Sequence, residues 1–409
     1  MRILFLTAHL PYPPFSGGRR REFELISRLS KRFEIDLCSV TKTWETDRRY
    51  VDIMRSYCSS VNLFKAGLSD MEQYENYSPQ MRKHLSQEAS SRIHRSLAND
   101  DVDVVHVEGY YLMQLLPLET QHPILLVEHN IEYMLNLQRM MLATSFQEIS
   151  RCWYEYVHTL KWERIYWKRA ATCVTLTPED KNAMKKLEPY IHIKMIPDGV
   201  DHLDTNGASE TSKSISKKKL EGARGSCILL VGNFAYEPNI DAALYFSKRI
   251  FPLVLQGIPN AKLFVVGNEP PPSILSLGVN KRIEVTGYVK SLTPYYRIAD
   301  VVVCPLRIGG GIKIKILEAL NAGKAIVSTS VGAQGLDLST HKAVKVADGV
   351  THFAQSVVQL LQHPEERVKL EREAMAYARE LPTWDQASEG FAKCYEEVTI
   401  CSSKNTTEA

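Results

Sequence analysis

Residues 301–323 read VVVCPLRIGGGIKIKILEALNAG. Three valines and a cysteine make a buried-strand run, three glycines at 309–311 follow, and the spacing of Ile312, Ile316 and Leu320 predicts a helix from about residue 312 with these three facing the sheet. Continuous apolar strands belong to parallel sheets covered on both faces. Strand, glycine turn and helix in that order let a phosphate reach free backbone N–H groups. The plainer alternative is a tight turn that needs a left-handed residue, because glycine loops are common.

The same alternation extends in both directions. Apolar runs at 227–231, 261–266, 283–286, 325–328 and 343–346 alternate with helical stretches, one of them starting near Asn239. Before them, runs at 3–6, 35–40, 102–107, 124–127 and 173–176 repeat the pattern. Between the two halves, residues 203–225 (LDTNGASETSKSISKKKLEGARG) lack any apolar period and read as a linker or exposed loop. The expected organisation is an α/β domain over 1–202, a linker over 203–225 and a second α/β domain over 226–383. A helix over about 384–400 follows Pro382 and could pack back on the first domain.

A length of 409 residues suits two domains, and 44% hydrophobic with 24% charged residues is ordinary for a globular protein. A net charge of +3 is too small to argue for nucleic acid. The eight cysteines show no CxxC pair and read as reduced thiols of a cytoplasmic protein. The N-terminal apolar run is too short for a signal peptide, and no uncharged run of spanning length exists, so any membrane contact is expected to be peripheral, at the inner face.

Several residues could carry chemistry. Glu318 lies two turns beyond Gly311, where a carboxylate can accept from both hydroxyls of a ribose; an i, i+3 pair with Lys315, worth roughly a few tenths of a kcal/mol, is the alternative. Gly17 and Gly18 precede a helix that opens with Arg19, Arg20 and Arg21, and cations there need something negative to offset the helix dipole. His129 follows a buried strand, where α/β sheets bind ligands, and His106 and Glu108 end another strand. Asp101-Val102-Asp103 has the spacing of a metal–diphosphate motif but opens a strand instead of ending one. Residues 140–169 interleave Trp153, Tyr154, Tyr156, Trp162, Tyr166 and Trp167 with Lys161, Arg164, Lys168 and Arg169. That segment suits a membrane interface or an acceptor groove, with Trp162, Trp167, Lys161 and Lys168 exposed, or simple core packing.

The ordered pieces GNFAYEPNIDAALYF, VTGYVKSLTPYYRIADVVVCPL, GGGIKIKILEALNAGKAIVST and GAQGL resemble the donor half of the retaining GT-B glycosyltransferases of the broad family 4, or group 1, kind. MRILFLTAHLPYPPFSGGRRREFELISRL, VVHVEG, VEHNIE and IPDGVD resemble that family's acceptor half. The resemblance implies two facing Rossmann-like domains with a cleft between them, and transfer of a sugar from a nucleotide-sugar to an acceptor hydroxyl with retention. The acceptor would be a glycan, a lipid-linked precursor or a small molecule, and surface-glycan biosynthesis is the expected setting. No metal or cofactor beyond the nucleotide-sugar co-substrate is expected.

The resemblance further places the donor on Gly17, Gly18, Gly232, Asn233, Tyr288, Gly309, Gly310, Gly311, Ile312, Lys313 and Glu318, and gives His129 a place beside the sugar. Two departures stand out. The first glutamate of the family's paired-glutamate motif falls at Gly310, and the Arg and Lys that grip the diphosphate are missing from 232–238, GNFAYEP. Lys315 is the preferred replacement cation, ahead of Lys313 and Arg307. A nucleotide-sugar epimerase of the same fold, or a noncatalytic partner subunit, are the alternatives.

Overall fold

The computed structural model describes residues 1–67, 74–99, 101–200 and 226–407. The linker expected at 203–225 lies outside the described residues. The chain divides into two compact units, Met1–Gly199 with Trp384–Ala409, and Val200–Thr383.

The first unit is built on seven parallel strands: β1 (Arg2–Thr7), β2 (Glu34–Thr41), β3 (Ser60–Lys65), β4 (Val104–Glu108), β5 (Ile124–Glu128), β6 (Thr172–Thr175) and β7 (Ile193–Met195), in the order β3-β2-β1-β4-β5-β6-β7. Helix α1 (Gly17–Leu29) follows β1, and its cap Ser16 accepts from the Arg19 amide. The second unit holds six parallel strands: β8 (Cys227–Val231), β9 (Lys262–Val266), β10 (Ile283–Gly287), β11 (Val301–Cys304), β12 (Ala325–Ser328) and β13 (Lys345–Val346), in the order β10-β9-β8-β11-β12-β13.

The unbroken apolar runs follow from this layering. Along β8, Ile228 and Leu230 enter the core on one face, while Cys227, Leu229 and Val231 enter the core on the other. The helix Trp384–Thr407 belongs to the first unit, where Trp384, Phe391 and Tyr395 are buried. Arg28 pairs with Asp385 at 2.7 Å and Arg32 with Glu396 at 3.0 Å along its flank. Among the described residues no helix is long and apolar enough to cross a membrane.

Two strands escape the sequence pattern. Strand β3 sits at the sheet edge with half-buried residues, and β7 is only three residues long. The helix of the glycine turn is Ile314–Asn321. It starts two residues later than the apolar spacing indicates, because Gly311 is left-handed (φ 60°) and Lys313 is extended as the cap. Ile312 therefore lies ahead of the helix and is only half-buried; the buried face is Ile316, Leu317, Ala319 and Leu320.

Candidate functional site

In each sheet the strand order reverses, between β1 and β4 in the first unit and between β8 and β11 in the second. Such a reversal opens a crevice at the carboxyl ends of the strands, where doubly wound sheets take ligands. Gly17, Gly18 and His129 fall at the first of these places, and Gly232, Asn233, the 309–311 glycines and Glu318 at the second.

In the first unit, a Cβ placed on Gly18 would lie 3.5 Å from His9 Cε1 and 3.9 Å from His129 Nδ1. The glycine turn and both imidazoles therefore share one small space, with Gly17 exposed at the helix start. Behind it sits a buried polar network. Arg21 Nη1 donates to Glu108 Oε2 at 2.6 Å, and Arg21 Nε pairs with Asp198 at 2.9 Å. His129 Nε2 contacts the same Glu108 oxygen, and His106 Nε2 lies 2.7 Å from Glu108 Oε1. His9 pairs with the buried Glu22 at 2.9 Å.

Burial alone would raise the Glu108 carboxyl, yet the Arg21 charge, His129 and the imidazole hydrogen bonds hold it well below the usual range. Burial lowers His106, which is therefore neutral near pH 7. Glu22, Glu108 and His129 each bring one ligand atom within 4.8 Å of the others. A divalent cation does not fit there, because the Arg21 guanidinium already lies against Glu108 and would repel it. Two of the three arginines of the helix start are thus explained: Arg19 pairs with Asp47 at 2.9 Å, and Arg21 with Glu108 and Asp198. Asp103 accepts from the Arg2 amide at 2.6 Å, at the opposite end of the strands from His129.

The segment carrying His129 is fixed from below. The buried Glu163 accepts from the amides of Glu132 and Tyr133 at 2.7 and 3.1 Å, capping the helix Glu132–Leu142. Glu128, which ends β5, accepts from Trp167 Nε1 at 2.8 Å, and burial pushes its carboxyl up to about 8. Trp167 is fully buried and Trp162 half-buried, its Nε1 bonded to the Asn76 carbonyl, so these two tryptophans are packing residues and not a surface pair. Met141, Phe146, Ile149 and Trp153, toward the tip of the helical hairpin, are exposed apolar residues.

In the second unit, Gly232 follows β8 and its amide donates to the Val266 carbonyl. A Cβ on Gly267 would sit 1.6 Å from the Gly232 carbonyl oxygen, so only glycine lets the two strand ends approach. Asn233 accepts from the Ala235 amide through Oδ1, and its carbonyl accepts from Asn239 Nδ2 at 2.8 Å. Lys315 Nζ donates to Asn239 Oδ1 at 2.5 Å. The lysine of the β11 turn is thereby tied to the β8 loop, and burial lowers its pKa. Tyr296 OH lies 3.4 Å from both the Lys315 carbonyl and Glu318 Oε2, placing the Glu318 carboxylate beside the lysine's turn.

The other cations are committed to structure. Lys313 is buried, and its Nζ donates to the Gly310 and Gly311 carbonyls at 2.9 and 2.7 Å, bracing the glycine turn from within. A Cβ on Gly309 would crowd this lysine at 3.1 Å. Arg307 pairs with Asp241 and lies over the Tyr245 ring. Tyr288 stands exposed beyond β10. The roles of Asn239, Tyr296 and Gly267 escaped the sequence reading, since each works through a partner distant in the chain; the helix expected from about Asn239 in fact starts at Glu237, which puts Asn239 inside it.

Residues 225–363 match the family model described as "Glycosyl transferases group 1". An uncharacterized 44.6 kDa protein in the cps region of Klebsiella pneumoniae is 20% identical over 397 residues, covering 87% of this chain and 90% of that protein. Sucrose-phosphate synthase from Thermosynechococcus elongatus superposes with a TM-score of 0.67 at 13% identity, covering 98% of this chain and all of the other. Anabaena HepE, solved with UDP and glucose, gives a TM-score of 0.63 at 14% identity over 97% of this chain and 99% of its own. The chain has the GT-B fold, and its second unit is matched by the group 1 glycosyltransferase family.

Proposed function

We propose that this protein transfers a sugar, with retention and without a metal, from a nucleotide-sugar held by its second unit to an acceptor hydroxyl brought by its first. The observation that carries this reading is the crevice between β8 and β11, where Gly232, Gly309–Gly311, Lys315 and Glu318 converge on the kind of place where doubly wound sheets bind nucleotides. Glu318 holds the ribose hydroxyls, while Lys315 and the backbone amides of the glycine turn meet the diphosphate. Lys315 stands in for the cations missing after Gly232. The structure of Anabaena HepE with UDP and glucose supports a donor of that chemical class.

For retention, a covalent mechanism needs a reachable carboxylate. Glu108 and Glu22 are buried and already paired, which favours a front-face displacement in which the leaving phosphate takes the acceptor proton. His129 then hydrogen-bonds the sugar at the reacting centre. The relative from a cps region supports a setting in surface-polysaccharide synthesis. A peripheral membrane contact would fall to Met141, Phe146 and Trp153, and co-sedimentation with anionic vesicles at low salt tests it.

Calorimetry tests the donor site. Glu318→Ala is expected to weaken binding of the nucleotide-sugar by about 1.5–3 kcal/mol, as a lost hydrogen bond to a charged group would. Unchanged affinity in the folded variant removes Glu318 from the site.

A further inference from the structure

We propose that Tyr395, His106 and Glu108 form a buried relay that fixes the tautomer and orientation of the His129 ring, so that the C-terminal helix serves the chemistry of the first unit. The functional part of this proposal rests on the transferase reading. The relay itself rests on geometry: Tyr395 OH lies 2.6 Å from His106 Nδ1, His106 Nε2 lies 2.7 Å from Glu108 Oε1, and Glu108 Oε2 contacts His129 Nε2. All three positioning residues are fully buried, and the tyrosine reaches them from 289 positions away in the chain.

The direction of each hydrogen bond follows from chemistry. A carboxylate accepts only, and Glu108 is ionised, so both imidazole nitrogens facing it carry hydrogens. His106 is neutral, so with its proton on Nε2 its Nδ1 is a bare acceptor, which demands a donor. Tyr395 supplies it, since burial holds the phenol well above its ordinary range and keeps it protonated. His129 Nε2 faces both Glu108 Oε2 and, at 3.1 Å, the donor Arg21 Nη1; the carboxylate contact is the shorter, so the hydrogen sits on Nε2 and Nδ1 is the nitrogen that faces Gly18. The arrangement resembles the way a buried carboxylate sets the tautomer of a catalytic histidine.

The groups around His129 come from every neighbouring element. These are Arg21 and Glu22 on α1, His9 after β1, His106 and Glu108 on β4, Asp198 after β7, Glu132 on the next helix, and Tyr395 beyond His106. Removing the Tyr395 hydroxyl leaves the His106 Nδ1 lone pair unsatisfied and frees the ring to turn away from Glu108. Glu108 is then held less firmly where it meets His129.

The test uses the full chain with ring-¹⁵N histidine and long-range ¹H–¹⁵N NMR, alongside kinetics. The wild type is expected to show His106 as the neutral Nε2–H tautomer near pH 7. In Tyr395→Phe kcat falls about tenfold while the donor KM stays put, as for a lost supporting partner. An Nδ1–H tautomer at His106 in the wild type, or an unchanged kcat in a folded Tyr395→Phe, overturns the relay. The wild-type spectrum decides the matter even if the variant fails to fold. If the NMR results hold but no donor is ever consumed, the relay stands and the transferase reading fails.

Discussion

His129→Ala is expected to lose about 10²–10⁴-fold in turnover, the range for a positioned imidazole, while nucleotide affinity stays unchanged. That loss equals about 3–5.5 kcal/mol of transition-state stabilisation. The two readouts separate because His129 lies at the β1–β4 reversal of the first unit, whereas Glu318 and Lys315 lie in the second. Its Nε2 is committed to Glu108, so the working nitrogen is Nδ1 beside Gly18. Single-turnover kinetics at saturating donor measure the loss. A variant that keeps wild-type turnover takes His129 out of the chemistry.

The second large effect concerns stability. Arg21→Ala removes the guanidinium that pairs with Glu108 at 2.6 Å and Asp198 at 2.9 Å, and leaves two buried carboxylates without their counter-charge. Breaking such a buried pair from one side costs about 3–5 kcal/mol. The sign with pH follows from Glu108, whose carboxyl is held well below the ordinary range, after the opposing effect of burial, by Arg21 and the imidazoles. A carboxyl depressed on folding stabilises above its unfolded pKa, and that contribution fades as pH falls through the folded value. The gap between wild type and Arg21→Ala should therefore be widest near neutral pH and narrow in acid. All five tryptophans, Trp44, Trp153, Trp162, Trp167 and Trp384, lie in the first unit, so their fluorescence in a urea titration reports this unit alone. Equal midpoints for the two proteins at neutral pH would show that Arg21 carries no such load.

Much of the fold was legible because buried parallel strands leave unbroken Val/Ile/Leu runs, as in VVVC at β11 and ILLVE at β5. Strand β3 was not legible, since SVNLFK is half-buried throughout, and the three residues of β7 carry no period. Local sequence also located the glycine turns and His129, whose places depend on the strand just before them. What it did not give was partnership. The ion pair of Arg21 with Glu108 spans 87 positions and the bond of Tyr395 to His106 spans 289, so nothing local marks them. A helical reading prefers Lys315 over Lys313 but does not show what either lysine holds. The late helix start turns one inward to brace the glycine carbonyls and sends the other to Asn239. Of the readings left open for residues 140–169, Trp167 takes core packing for a similar reason: Glu128 gives its Nε1 a buried acceptor, which lets the whole ring enter the core.

The most direct measurement of the central claim is donor consumption in EDTA. The protein is incubated with UDP-, GDP- and dTDP-sugars in turn, with released nucleoside diphosphate and the anomeric proton of the product followed by ¹H NMR. The account predicts that one donor is consumed with the chelator present, that the product keeps the donor's anomeric configuration, and that Lys315→Ala abolishes the release far more completely than Lys313→Ala. Consumption that requires added manganese, an inverted product, or no consumption of any nucleotide-sugar would contradict it.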